Sequence, residues 1–205
     1  MIVIRPSPYL ADLPYALAGD LVVALPAVAR MAARAGVVRA RPEVSRRLLA
    51  GGAKVLVFPG GDPDSMRPWR DRDRIVFGGR RGYIRLALRA GAPILPVVTA
   101  GAHETFVVLT DGRRLLETAG IGKRLRLSTW PVSLCLPWGL LIGPAQLHFP
   151  WPTRILQEIL DPIRFERTGE AAAEDDAYVR ACAEQVEGAM QAALTRLARE
   201  RRRAV

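Results

Sequence analysis

The chain has 205 residues, half of them hydrophobic, with 30 basic and 20 acidic side chains and a formal charge of +10. That is enough for one domain around one substantial core, while two cysteines 47 positions apart, Cys135 and Cys182, exclude a disulfide framework or a cysteine zinc site and fit a reducing compartment. The opening run Ile2-Val3-Ile4 is cut short by Pro6 and Pro8, too short to serve as a signal peptide, so export is not expected.

A basic surface attracts phosphates, anionic headgroups and nucleic acid alike. Here 28 of the 30 basic residues are Arg, a bias that genomic composition also produces, so position says more than the total. Arg67 to Arg89 holds eight Arg against Asp71 and Asp73, a local excess of six that marks the expected electrostatic centre. No nucleic-acid-binding motif accompanies it, and nucleic acid is not an expected partner.

In chain order, Pro26 suits a first helical position, Ala27 to Ala35 is helix-prone, and Gly36 can close that helix in the left-handed conformation. Pro42-Glu43 opens a second helix with the acid placed to meet the helix dipole; Val44 and Leu48 share a face, and Gly51-Gly52 ends it. Val55 to Phe58 reads as a buried strand. After a long basic loop, Gly82 to Ala90 reads as a helix with Ile84 and Leu88 one turn apart, Gly91 terminates it, and Ile94 to Thr99 is the next strand. Strand, helix and strand make a βαβ unit, implying parallel strands, a right-handed crossover and ligands beyond the strands' carboxyl ends, where Pro59-Gly60-Gly61 lies. Phe106 to Leu109, before the Asp111-Gly112 turn, and Ile155 to Leu160 are further strands. The expected fold is therefore α/β: a mixed, largely parallel sheet of modest size flanked by helices, with residues 1–205 forming a single domain.

Leu127 to Thr153 contains no Asp, Glu, Lys or Arg over 27 residues, long enough to cross a bilayer, but its five prolines argue against a spanning helix. Trp130, Trp138 and Trp151 favour a loop lying on or shallowly in a membrane surface; a proline-rich connector packed over the core fits equally. Arg167 to Asp176, with Gly169, three alanines and four acids, reads as a flexible link to a final amphipathic helix over residues 177–203. Val179, Val186, Met190, Leu194 and Leu197 form its packing face, and its end at Arg199, Arg201, Arg202 and Arg203 suits a solvated tail or contact with anionic lipid.

The segment Phe58-Pro59-Gly60-Gly61-Asp62-Pro63-Asp64 follows the first buried strand. Proline stiffens the exit and the two glycines would let a ligand approach the backbone, although the same residues also suit a plain turn. Arg67-Pro68-Trp69 follows, then Arg80-Arg81-Gly82-Tyr83-Ile84-Arg85-Leu86-Ala87-Leu88-Arg89-Ala90-Gly91-Ala92-Pro93-Ile94-Leu95-Pro96-Val97. Together these blocks resemble the lysophospholipid and glycerolipid acyltransferase superfamily, in its diacylglycerol-acyltransferase-like bacterial branch. Gly36-Val37-Val38-Arg39-Ala40 looks like that family's earlier acceptor block and Gly101-Ala102-His103-Glu104 like the residues after its proline strand, so the resemblance runs from about Tyr15 to Ile163.

The resemblance implies transfer of a fatty acyl group from acyl-CoA, or another acyl thioester, to a lysophospholipid or glycerolipid hydroxyl. It implies a cytoplasmic protein peripheral at the inner face of the membrane, with no metal and no cofactor beyond acyl-CoA as substrate. Phe58, Pro59, Gly60 and Gly61 would form the substrate-binding turn; Asp62 or Asp64 would hydrogen-bond an acceptor hydroxyl; and Arg67, Arg80 or Arg81 would meet phosphate, each Arg equally suiting a solvated surface.

Two departures qualify it. Gly60-Gly61-Asp62-Pro63 stands where the wider family often has Glu-Gly-Thr-Arg, as the double-glycine branch implies. The family's catalytic pair is a His with an Asp five positions on, N-terminal to everything matched; His103 is followed by Val108 and His148 by Thr153, so neither fits. The chemistry needs an imidazole to take the acceptor's hydroxyl proton and a carboxylate to hold its tautomer. The catalytic residue is thus unassigned. His103 is the remaining candidate, but its neighbour Glu104 would point to the opposite face of an extended backbone, which favours a pocket-lining or structural role. The chain is expected to be N-terminally incomplete relative to the family, with an inactive fragment or a noncatalytic lipid-binding relative as the alternative.

Overall fold

The computed structural model describes residues 2–4, 14–18, 30, 34, 36–112, 118, 130–143 and 149–203. The helix expected over 27–35 and His148 lie outside them, Arg30 and Arg34 excepted; both are helical, and Gly36 has the left-handed φ of 74° expected of a terminator.

Three short strands come first: β1 (Ile2–Ile4), β2 (Tyr15–Ala18) and β3 (Val37–Arg39). Helix α1 (Pro42–Ala50) begins on its proline and leads to β4 (Val55–Leu56), only two residues long. The expected strand to Phe58 stops early, and Phe58 is exposed rather than buried. The short helix α2 (Gly61–Ser65) and a 3-10 turn at Trp69–Asp71 follow, then α3 (Gly82–Ala90). Gly91 closes α3 at φ 60°, donating to the Leu88 carbonyl while Ala92 donates to that of Ala87, the pairing that satisfies a helix's last carbonyls. Strand β5 (Val97–Ala100), a 3-10 turn at Ala102–Glu104, β6 (Val107–Thr110), β7 (Val132–Cys135), β8 (Gly139–Ile142) and β9 (Ile155–Ile159) complete the strands. Helices α4 (Glu170–Glu174) and α5 (Asp176–Arg203) end the chain.

The fold is mixed α/β, but its strands form three small sheets in the orders β1-β9-β5, β3-β2-β4 and β6-β7-β8. Three of the described pairings are parallel (β1 with β9, β2 with β3 and with β4) and three antiparallel (β5 with β9, β6 with β7, β7 with β8), so a largely parallel sheet is not what these residues build. Nor do the strands flanking α3 pair: β4 lies beside β2, and β5 runs antiparallel to β9 with Val98 opposite Glu158. Apolar runs reveal strands but not the direction of their partners, because both ladders satisfy the same backbone groups.

Helix α5, about 42 Å long at 1.5 Å per residue, organises two cores. Its first half buries Val179, Cys182, Ala183 and Val186 against Ile84 and Leu88 of α3 and Ala173 of α4. Its second half buries Ala193, Leu194 and Leu197 against Val98, Ala100 and Leu156 of β5 and β9, and Met190 joins both. The expected link at 167–176 is folded: Ala172 and Ala173 are small enough to bring α4 against its neighbours, and its acids find Arg partners, Arg167 with Asp175 at 3.0 Å and Arg89 with Glu170 at 2.7 Å. The α5 end is not a loose tail either, since Arg201 and Arg202 are anchored to Glu104 and Asp73.

A third core, Phe106, Val108 and Cys135, lies under the β6-β7-β8 sheet. The segment read as a membrane loop or connector is therefore largely a β-hairpin, with three residues between Cys135 and Gly139 at its tip. Gly112 permits the entry, since any Cβ there would sit 1.9 Å from the Trp130 carbonyl oxygen.

Candidate functional site

The Phe58–Gly61 turn leaves β4 and runs directly into α2. Gly60 is buried, and a Cβ on it would lie 2.1 Å from Asp64 Cβ and 2.9 Å from the Val76 carbonyl oxygen. Gly61 takes φ 54°, donates to the Phe58 carbonyl at 3.2 Å, and would meet Arg80 Nη1 at 2.7 Å if it bore a Cβ. The close approach these glycines permit is thus to the chain itself: Asp64 and Val76 on one side, the Arg80 guanidinium on the other. Arg80 Nη1 donates to the carbonyls of Gly60 and, at 3.5 Å, Pro59, clamping the turn from outside. The side chain of Asp62 lies outside the described residues.

Beneath the turn Arg67 is only 7% exposed. Its Nη1 is 3.1 Å from Asp64 Oδ1, its Nη2 is 2.6 Å from His103 Nε2, and its Nε is buried without a hydrogen-bond partner. A guanidinium has only donors, so His103 Nε2 must accept and the ring's proton must sit on Nδ1. Burial, and after it the Arg67 charge, lower the His103 pKa to about 4, with Asp73 opposing them. His103 is consequently neutral near pH 7 with its Nε2 lone pair engaged. A general base needs a free lone pair and a pKa near the working pH, whereas the Nε2 of His103 is engaged by Arg67 here.

Glu104 parts from His103, although the backbone is a 3-10 turn rather than the extended strand end expected. Its carboxylate is gripped by Arg201, with Nη1 to Oε1 at 2.7 Å and Nη2 to Oε2, and receives Thr153 Oγ1 at 3.2 Å. The Arg201 hydrogen bonds hold the Glu104 carboxyl below its usual range against a burial penalty. Arg201 Nε also donates to the Arg154 carbonyl at 2.7 Å. Nothing in sequence signals a pairing across 97 positions.

Arg81, half-buried at the N-cap of α3, makes no hydrogen bond to the turn among the described residues; its charge opposes the burial that raises the Glu187 pKa. Of the sequence-derived residues, the structure brings Phe58, Pro59, Gly60, Gly61, Asp64, Arg67 and Arg80 together around one turn, with His103 beneath it.

The arrangement of strands and helices has a counterpart in the crystal structure of the 1-acyl-sn-glycerophosphate acyltransferase PlsC from Thermotoga maritima, with a TM-score of 0.52 over 90% of this chain and 56% of that one; at 15% identity the likeness defines the fold. The family model for diacylglycerol acyltransferase matches residues 17–175, which include the glycine turn, Arg67, α3 and His103, and the chain belongs to that family. Uncharacterized proteins of Mycobacterium tuberculosis (strain H37Rv) and Mycobacterium bovis are each 32% identical over 186 residues, 91% of this chain and 49% of theirs. One from Mycobacterium leprae is 31% identical over 91% of this chain and 48% of its own. The chain thus spans about half the length of the curated relatives it matches.

Proposed function

We propose that the chain supplies the acceptor side of an acyltransferase that moves a fatty acyl group from acyl-CoA, or another acyl thioester, to a lysophospholipid or glycerolipid hydroxyl at the inner face of a membrane. The observation that carries this reading is the diacylglycerol acyltransferase match across residues 17–175, with the clamped Phe58–Gly61 turn inside it. In the reaction the acceptor oxygen loses its proton to a base and attacks the thioester carbonyl, the C–S bond breaks, and the thiolate leaves and takes up a proton. The turn and Asp64 bound the acceptor hydroxyl, and Arg81 meets a phosphate of the acceptor or of CoA. Arg80 serves by holding the turn, since its guanidinium is already committed to the turn carbonyls, and Arg67 by holding Asp64 and His103.

A specific observation favours a second reading, a noncatalytic lipid-binding chain: the described histidine is neutral and bonded to Arg67. An assay of CoA release from acyl-CoA, with lysophospholipid or diacylglycerol as acceptor, run beside acceptor binding, separates the two. Turnover supports the transferase, and binding without turnover supports the second reading. If neither occurs, both fall. In a protein that turns over, Arg81→Ala is expected to raise the KM for acceptor or acyl-CoA about tenfold, the loss of one charged hydrogen bond, with the unfolding midpoint unchanged; unaltered kinetics would remove Arg81 from the site.

A further inference from the structure

The β6-β7-β8 sheet has two unlike faces. The register places Val108, Ser133 and Leu141 in one row across the three strands, turned toward the core. The neighbouring rows, Val107-Leu134-Leu140 and Thr110-Val132-Ile142, face outward. Leu136 continues that outer face and bridges to Phe149, while Trp138 stands at the hairpin tip. Leu140, Ile142, Trp138 and Phe149 are 57%, 62%, 64% and 70% exposed. An antiparallel sheet with one free face ordinarily turns polar side chains to water; here Thr110 is the one polar residue in either row. Large contiguous apolar patches on soluble folds mark interaction surfaces.

We infer that this face is a docking surface for an anionic phospholipid bilayer, lying flat on the acyl-headgroup boundary with Trp138 and Phe149 at its leading end. Three features select a bilayer as the occupant. The hairpin belongs to a 27-residue stretch, Leu127 to Thr153, without a charged residue, so the face carries none of the charged rim by which protein partners fix register. The connector joining β6 to β7 carries Arg113, Arg114, Lys123, Arg124 and Arg126 against Asp111 and Glu117 in its sequence, a basic excess complementary to anionic headgroups. Aromatic side chains, Trp above all, partition to the bilayer interface. Among the described residues no helix is long and apolar enough to cross a membrane. The inference deepens the membrane partnership proposed above, but its test reads vesicle binding without substrate, so its failure is separate from failure of acyl transfer.

The test is cosedimentation of the whole chain with vesicles of phosphatidylcholine mixed with phosphatidylglycerol, and of phosphatidylcholine alone. The chain is expected to bind the mixed vesicles and to bind the neutral ones less. Leu140→Asn/Ile142→Asn, both on exposed positions of edge strand β8, is expected to weaken binding about tenfold or more, two buried aliphatic side chains being forfeited, while Arg70→Ser/Arg74→Ser on the exposed basic loop binds as the parent does. A second readout is independent of how well the polar variant folds: brominated lipids are expected to quench tryptophan fluorescence in the parent, and Trp138→Phe, compared at lipid concentrations that bind it fully, to lose most of that quenching. No binding to either vesicle, equal binding by the Leu140/Ile142 variant, or quenching that survives Trp138→Phe overturns the assignment. Self-association abolished by the Leu140/Ile142 variant in a chain that ignores vesicles gives the face to a second copy instead. Equal affinity for both vesicles overturns the anionic preference.

Discussion

The Arg-rich loop from Arg67 to Arg89 and the uncharged sheet β6-β7-β8 both stand out in the sequence as binding surfaces, and the fold treats them oppositely. The loop's excess charge is largely met from within. Arg67 reaches Asp64 and His103, Arg72 lies over the Trp69 ring at 4.3 Å and 3.8 Å from Glu104, Arg85 reaches Asp176, and Arg89 reaches Glu170. Asp64 is a near neighbour, but Glu104, Asp176 and Glu170 are acids distant in sequence. The sheet's apolar residues are met by the core of Phe106, Val108 and Cys135 on one face, while on the other Leu134, Leu140 and Ile142 are exposed. A charge excess can be neutralised by any carboxylate the fold brings near, whereas apolar area is removed from water only by another surface. The unmet requirement lies on the sheet.

Breaking the glycine turn that Arg80 of this segment clamps should have the largest effect. Gly60→Val drives side-chain atoms into Asp64 Cβ and the Val76 carbonyl, and is expected to cost about 3 kcal/mol or more of stability, seen as a lower urea midpoint. An unchanged midpoint in that variant would mean the turn is not packed as described.

The buried His103 gives the loop an acid sensitivity the sheet lacks. Its pKa is lowered on folding from 6.5 to about 4. The stability it contributes is therefore present above pH 6.5 and is lost as the pH falls toward 4, by about 3 kcal/mol at most. Urea midpoints across that window should fall in the parent and flatten in His103→Asn; an unchanged slope in the variant would assign the sensitivity to another group.

Glu104→Gln removes the acceptor that ties Arg201 of α5 to the turn after β5, and is expected to cost about 2 kcal/mol, with one charged partner left half-matched. A double-mutant cycle with Arg201→Met checks that the loss belongs to the pair. Smallest of all should be Arg70→Ala. Its guanidinium is exposed and, among the described residues, meets the adjacent Asp71, so a thermal melt should register less than about 0.5 kcal/mol. A larger loss would show the loop's surface charges to be more than locally balanced.

Several elements are legible locally. Pro42 and Gly91 mark the start of α1 and the end of α3, Ile84 and Leu88 mark the buried stripe of α3, and the face read for α5 is buried at Val179, Val186, Leu194 and Leu197. The glycine turn is legible too, because a buried Gly60 and a left-handed Gly61 leave few alternatives. What misleads is any feature whose partner is remote. Arg167 to Asp176 reads as flexible because its acids and alanines lack neighbours in sequence, yet Arg89, Arg85 and α3 provide them.

The sequence by itself determined the family, the glycine turn, the helix termini and the apolar character of Leu127 to Thr153, all of which rest on local chemistry or contiguous motifs. Only the tertiary structure decided that parallel and antiparallel pairings both occur, that Arg80 holds the turn, that His103 accepts from Arg67, and that the described part of the uncharged segment is largely a hairpin with one largely exposed face. Each of those depends on which distant groups become neighbours, and a one-dimensional pattern of charge and hydrophobicity states a residue's requirement without naming the group that meets it.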